Sequence, residues 1–174
     1  MLLLPLLWCG QVLAQPSGDE RAQELVSLAK KYYSTKSYLD AAMTFDLATQ
    51  RPNNDLSSFC WYMTGLSYYK AGEKLKADNA WTRFLSKFPN SAYADNARYH
   101  RGVIMMESEH VNDREHGVDE MLKLVEHADD KRLRSDAEQT LKHFLVDVYP
   151  ISFLELYIKF ADKKYQSWLM EAMC

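Results

Sequence analysis

The sequence predicts an all-α fold, a right-handed superhelix of about four stacked antiparallel helix pairs. Two observations carry this reading. A small residue recurs at Ala29, Gly65 and Gly102, at intervals of 36 and then 37 residues. Each is followed three places on by an aromatic or long apolar residue: Tyr32, Tyr68, Met105. The first two units also share a later small residue (Ala41, Ala77), an aromatic (Phe45, Trp81) and a closing proline (Pro52, Pro89). The second observation is composition. Only six glycines and five prolines interrupt 174 residues, which suits long helices better than strands and turns. Helix pairs of this period bury their apolar faces by stacking, and they work by presenting an extended concave surface.

The elements follow in order. Residues 1–14, MLLLPLLWCGQVLA, are uncharged and almost wholly apolar, yet too short for a spanning helix. Val12 and Ala14 suit a signal-peptidase cut before Gln15, so residues 1–14 are expected to be a signal peptide. A rival reading is lipidation at Cys9, for which Leu6 is well placed and the bulky Trp8 is not. Residues 15–20 are expected to be a disordered lead, and the helical domain to run over residues 21–174.

The first helix is expected over about Arg21 to Ser34, with Leu25, Leu28, Ala29 and Tyr32 on one face. Its partner covers about Tyr38 to Gln50, with Ala41, Ala42, Phe45 and Ala48 inward. Pro52 to Asp55 forms a turn. In the second pair Trp61, Gly65 and Tyr68 face Ala77, Ala80, Trp81, Phe84 and Leu85, and Gly72 ends the first helix. Gly65 and Ala77 let the backbones approach while the tryptophans fill the flanks.

The third pair opens after Pro89, with Tyr93, Ala94, Ala97, Gly102 and Met105. It returns over about Glu115 to His127, where Arg114 displaces the small residue and Gly117 is the candidate replacement. Leu133, Ala137, Leu141, Phe144, Leu145 and Val148 make the next stripe, stopped by Pro150. The last helix, about Ser152 to Ala172, is apolar over a wide arc. Phe153, Leu156, Phe160 and Trp168 on it are candidates for pairing two copies of the chain.

Several function classes are disfavoured. A net charge of −3 lacks the basic face that nucleic acid requires. The acidic stretch Glu107 to Asp130 reads as a solvated face. Cys60 beside Trp61 reads as a buried small apolar residue, and Cys174 ends the chain, so no disulfide framework is expected. No phosphate loop, nucleophile elbow or zincin motif occurs. His110 and His116, with Glu107, Glu109 and Glu115, fit no metal-ligand spacing, and Asp119 and Glu120 are adjacent and diverge on a helix. No catalytic, cofactor or metal site is therefore expected.

Trp61, Gly65, Tyr68, Ala77, Trp81 and Pro89 resemble a tetratricopeptide repeat, and Leu25 to Pro52 resembles another. Tyr68 to Glu73, Arg83 to Ser91 and Ala94 to Gly102 are similar to the periplasmic repeat proteins of the Gram-negative envelope. These include the BamD-type subunit of outer-membrane protein assembly and the Tol-Pal-associated coordinator. Asn112 to His116 and Ser135 to Ala137 are similar to the BamD branch. The likeness spans roughly Arg21 to Val146. It departs from that branch at Trp8, which spoils a lipidation motif, and in the apolar tail. The resemblance implies a periplasmic, outer-membrane-associated scaffold that holds an envelope protein or peptide, with membrane contact through a lipid anchor only. The rival is a self-assembling module dimerising through the last helix.

The first helix of each pair is expected to line the concave face. The residues not used within pairs are then Tyr33, Phe59, Tyr62, Tyr69, Lys70, Asn96, Tyr99, His100 and Met106, with Gln23, Val26, Lys30, Leu66 and Val103. Tyrosine brings large contact area at low entropic cost and a hydroxyl tip, which suits an extended peptide or partner helix. The lining lacks the basic clamp that holds a terminal carboxylate. Equally, the tyrosines could pack between neighbouring pairs.

Overall fold

The computed structural model describes residues 18–51 and 56–150, and beyond them Ser152, Phe153, Glu155, Gln166 and Met170. The signal peptide, Cys9, the turn at Pro52 to Asp55, and Leu156, Phe160, Trp168 and Cys174 lie outside the described residues. Seven α-helices follow one another: α1 Gly18–Ser34, α2 Tyr38–Thr49, α3 Ser57–Lys70, α4 Lys74–Lys87, α5 Ala94–Met106, α6 Val111–His127 and α7 Lys131–His143. A π-helical turn, Phe144–Val148, extends α7. Each helix packs on the one before it and the one after it, as in a stack of helix pairs, and no strand occurs among the described residues.

Small residues set the approach within each pair. Ala29 and Ala41 are fully buried in the first. In the second, a Cβ on Gly65 would strike the Trp81 indole, whose Nε1 donates to the Tyr62 carbonyl at 3.1 Å. In the third, Gly117 takes the place denied to Arg114. A Cβ there would lie 2.8 Å from the Met106 nitrogen and 2.9 Å from the Gly102 carbonyl oxygen. The two helix backbones are therefore in contact, and any larger side chain would push α5 and α6 apart.

Three clusters make one continuous core. Val26, Ala29, Phe45 and Cys60 join the first pair to the second. Tyr62, Trp81, Phe84 and Ala97 join the second to the third. Met106, Val118, Leu122, Ala137, Leu141 and Phe153 close the stack. Two ion pairs add register between α4 and α5, the half-buried Arg101 to Asp78 and the exposed Lys74 to Glu107 just after α5, each at 2.7 Å.

Four boundaries or faces differ from expectation. α1 begins at Gly18, so the expected lead is already helical at residues 18–20. Leu28 is 42% exposed instead of inward, because no earlier pair among the described residues covers that side of α1. Val26, expected in the groove, is buried against α3 residues instead. α6 starts at Val111 instead of about Glu115. Ser108 accepts from the His110 backbone N–H at 3.2 Å and donates to Asp113 at 2.7 Å, which closes the turn early.

Candidate protein-binding face

The expected lining residues fall on a run of aromatic contacts that crosses the stack along its first helices. Tyr33 meets Tyr38 edge-on, with centroids 5.3 Å apart. Phe59 stands edge-on to Phe45 and contacts Tyr93 at 5.8 Å, with the Lys30 ammonium 5.0 Å above its ring. Tyr93 stacks on Tyr62 at 5.1 Å and 11°, and Tyr62 leans on Trp81 and Phe84. His100 lies flat on Trp81 at 5.1 Å and 12°, boxed by Tyr69 and Tyr99 at 5.4 Å each. The Tyr99 hydroxyl reaches Thr140 of α7 at 2.8 Å. One series of ring contacts thus crosses the first two inter-pair joints, and a hydrogen bond from Tyr99 crosses the third.

Burial sorts these residues. Tyr62 (9% exposed) and Met106 (1%) are core and do not line a groove. Met106 packs against Gly117, and its carbonyl accepts from Tyr149. The tyrosines do pack between neighbouring pairs, because stacking demands that each pair cover the next. Tyr33, Phe59, Tyr69, Tyr99 and His100 are half-buried, with rings held by neighbours and edges left open, and Lys70 is exposed. Asn96 is half-buried and separate from them. It lines a polar cavity of about 500 Å³ with Asn90, Ser91, Arg98 and Asp130.

Phe153 is buried too, and so is not available to a second copy. It contacts Tyr149 at 4.5 Å, and the Arg114 guanidinium lies 5.2 Å from its ring.

The electrostatics follow the burial. Desolvation raises the Tyr62 phenol to about 12, with Tyr33 and Tyr93 adding to the effect. It raises Tyr69 and Tyr33 as well, so these hydroxyls are neutral donors and acceptors. Desolvation, with a smaller contribution from nearby Lys70, lowers His100 to about 4, so its ring is uncharged at neutral pH. Such a face has neutral aromatic edges, an ammonium at Lys30 and another at Lys70. It can grip apolar side chains and hydrogen-bond a backbone, but it places no nucleophile beside a base.

Sequence reasoning missed Tyr93 as the ring that couples Phe59 to Tyr62. The pattern placed Tyr93 among the packing residues of the third pair but gave no sign of its ring partners across the joint. The stacking of His100 on Trp81 was legible only as helical spacing, not as contact.

The chain matches the family model YfiO, described as outer membrane lipoprotein, over residues 18–155. That span covers most of the chain, and the chain belongs to this family. No curated protein matches it. Membership places the protein in the envelope, associated with the outer membrane on its periplasmic side. No helix among the described residues is long and apolar enough to cross a membrane.

Proposed function

We propose, taking membership of the outer membrane lipoprotein family as the premise, that this protein is a non-enzymatic scaffold of outer-membrane protein assembly. Its work is to hold a protein or peptide partner on the aromatic face of its first helices. The observation that carries the proposal is the family match over residues 18–155, which coincides with the stack of helix pairs. The mechanism is rigid presentation. Rings fixed by their neighbours have already lost their rotamer freedom, so binding costs less entropy than it would on mobile side chains. Tyr33, Phe59, Tyr69 and Tyr99 supply area, while Lys30 and Lys70 select against cationic partners.

The test is a mild-detergent capture of the tagged full chain from its own envelope, with partners read by mass spectrometry. Barrel-assembly subunits should be recovered, and a Lys30→Glu, Lys70→Glu variant should lose them without a change in Tm. Recovery of the protein alone would overturn the proposal and favour pairing of copies.

A further inference from the structure

The outward stripe of α2 sets the first pair apart. Leu39, Met43 and Leu47 follow at intervals of four, so they share one face, and they are 47%, 52% and 46% exposed. Ala41, Ala77 and Gly117 occupy the same place in α2, α4 and α6, each buried against the first helix of its pair. Counted from them, the matching outward positions are Leu75, Asn79 and Arg83 in α4, and Glu115, Asp119 and Lys123 in α6. Solvent suits those two stripes, which hold five polar residues and one leucine. The first pair alone turns three large apolar side chains outward.

The apolar surface continues around the end of the stack. Leu28 is 42% exposed, whereas its counterpart one period on, Thr64, is buried at 2%. Leu25 and Leu28 open into a cavity of about 380 Å³, bounded by Arg21, Glu24 and Arg51. Leu47 lies four residues before Arg51.

Two features say what covers this surface. The chain enters the first pair from residues 1–14, which are uncharged and nearly all apolar, and the family is one of lipoproteins. Lipidation at Cys9, the reading of residues 1–14 that this family favours over a cut before Gln15, places the membrane attachment at this end. Charge is also divided along the chain. Residues 18–51, which form the first pair, hold five Lys and Arg against five Asp and Glu, while residues 101–174 hold ten against fifteen. The neutral end is the one beside the attachment, and an anionic phospholipid surface turns the negative end away.

We infer that the outer face of the first helix pair, centred on Leu39, Met43 and Leu47, lies against the phospholipid surface to which the chain is attached. The inference rests on the membrane-attached reading of the family. Three half-exposed side chains make a weak contact by themselves. The attachment supplies an effective concentration on the order of millimolar, which makes a weak contact persistent. The contact orients the stack, so the partner-binding face is held at a fixed angle to the membrane.

Methionine oxidation tests this on the full chain. Met43 and Met170 are similarly exposed, at 52% and 59%. The chain is bound to vesicles of phosphatidylethanolamine with a minority of phosphatidylglycerol, flotation is checked, and peroxide oxidation is read by mass spectrometry. Met43 should oxidise severalfold more slowly than Met170 on the vesicles, and a Leu39→Glu, Leu47→Glu variant should remove the difference while still floating. Equal rates on floating protein would overturn the inference and leave the family reading intact. A slowing that depends on protein density at the vesicle surface would show a second copy on the face, and would equally overturn it. Failure to float would sink both the inference and the membrane-attached reading.

Discussion

Lys36 and Gly72 sit one period apart and are the two residues with positive φ, 62° and 82°, among those described. They occupy the same turn. Lys36 and Gly72 donate to the Tyr33 and Tyr69 carbonyls, and Ser37 and Glu73 donate to those of Tyr32 and Tyr68. Glycine meets the left-handed requirement in the second unit, whereas lysine bears its cost in the first. Lys36→Gly should therefore raise stability by roughly 0.5–1 kcal/mol and Gly72→Ala lower it by about 1 kcal/mol. Nothing lies within 4 Å of a Cβ at Gly72, so that loss would be conformational, not steric. Paired urea melts check both. His100 gives a second expectation at this scale. Its folded pKa, about 4, lies below the unfolded value of 6.5, so the unfolded chain binds the proton more readily between them. The stability it contributes is present above pH 6.5 and is lost as pH falls toward 4. His100→Phe, which keeps the ring stack, should flatten that part of the pH–stability profile. A variant as acid-sensitive as the parent would refute the assignment.

The helices themselves were the most legible part of the sequence, because period and small residues both mark them. Ala41, Ala42, Phe45 and Ala48 are fully buried, as their spacing on α2 predicts. The misjudged positions depend on neighbours distant in sequence. Leu28 follows the apolar stripe of α1 and is exposed because nothing among the described residues stacks before it. The π-helical turn at Phe144–Val148 was invisible for a related reason. One extra residue re-phases the chain, with Tyr149 donating its N–H to the Phe144 carbonyl at 2.8 Å. This brings the Tyr149 ring into the last cluster, where its hydroxyl donates to the buried Met106 carbonyl at 2.9 Å and Arg114 covers the ring at 5.6 Å. That latch ties the end of the π-helical turn to α5 and α6. Tyr149→Phe should cost about 1 kcal/mol, the usual value of a hydrogen bond of this kind. Hydrogen exchange should then quicken first in residues 144–150. Uniform loosening along the stack would contradict a local latch.

The molecule as a whole is a stack in which each pair is completed by the next. That explains why the candidate site was only half legible. The sequence pattern placed Tyr33, Phe59, Tyr69 and Lys70 on the first helices, and they are open at least in part. It placed Tyr62 and Met106 there too, but the joints consumed them, since a side chain pointing along the stack meets the next pair instead of a partner. Periodicity reports which face a residue occupies, and only the angle between pairs decides whether that face stays open. The central claim is that first helices, not second helices, carry the partner. It is tested most directly by placing a photo-crosslinking residue at Lys70 or at Leu75 (81% exposed on α4) in living cells. The account predicts crosslinks from position 70 to a barrel-assembly subunit and few from position 75. Equal capture from both positions, or capture of the partner from position 75 alone, would contradict it.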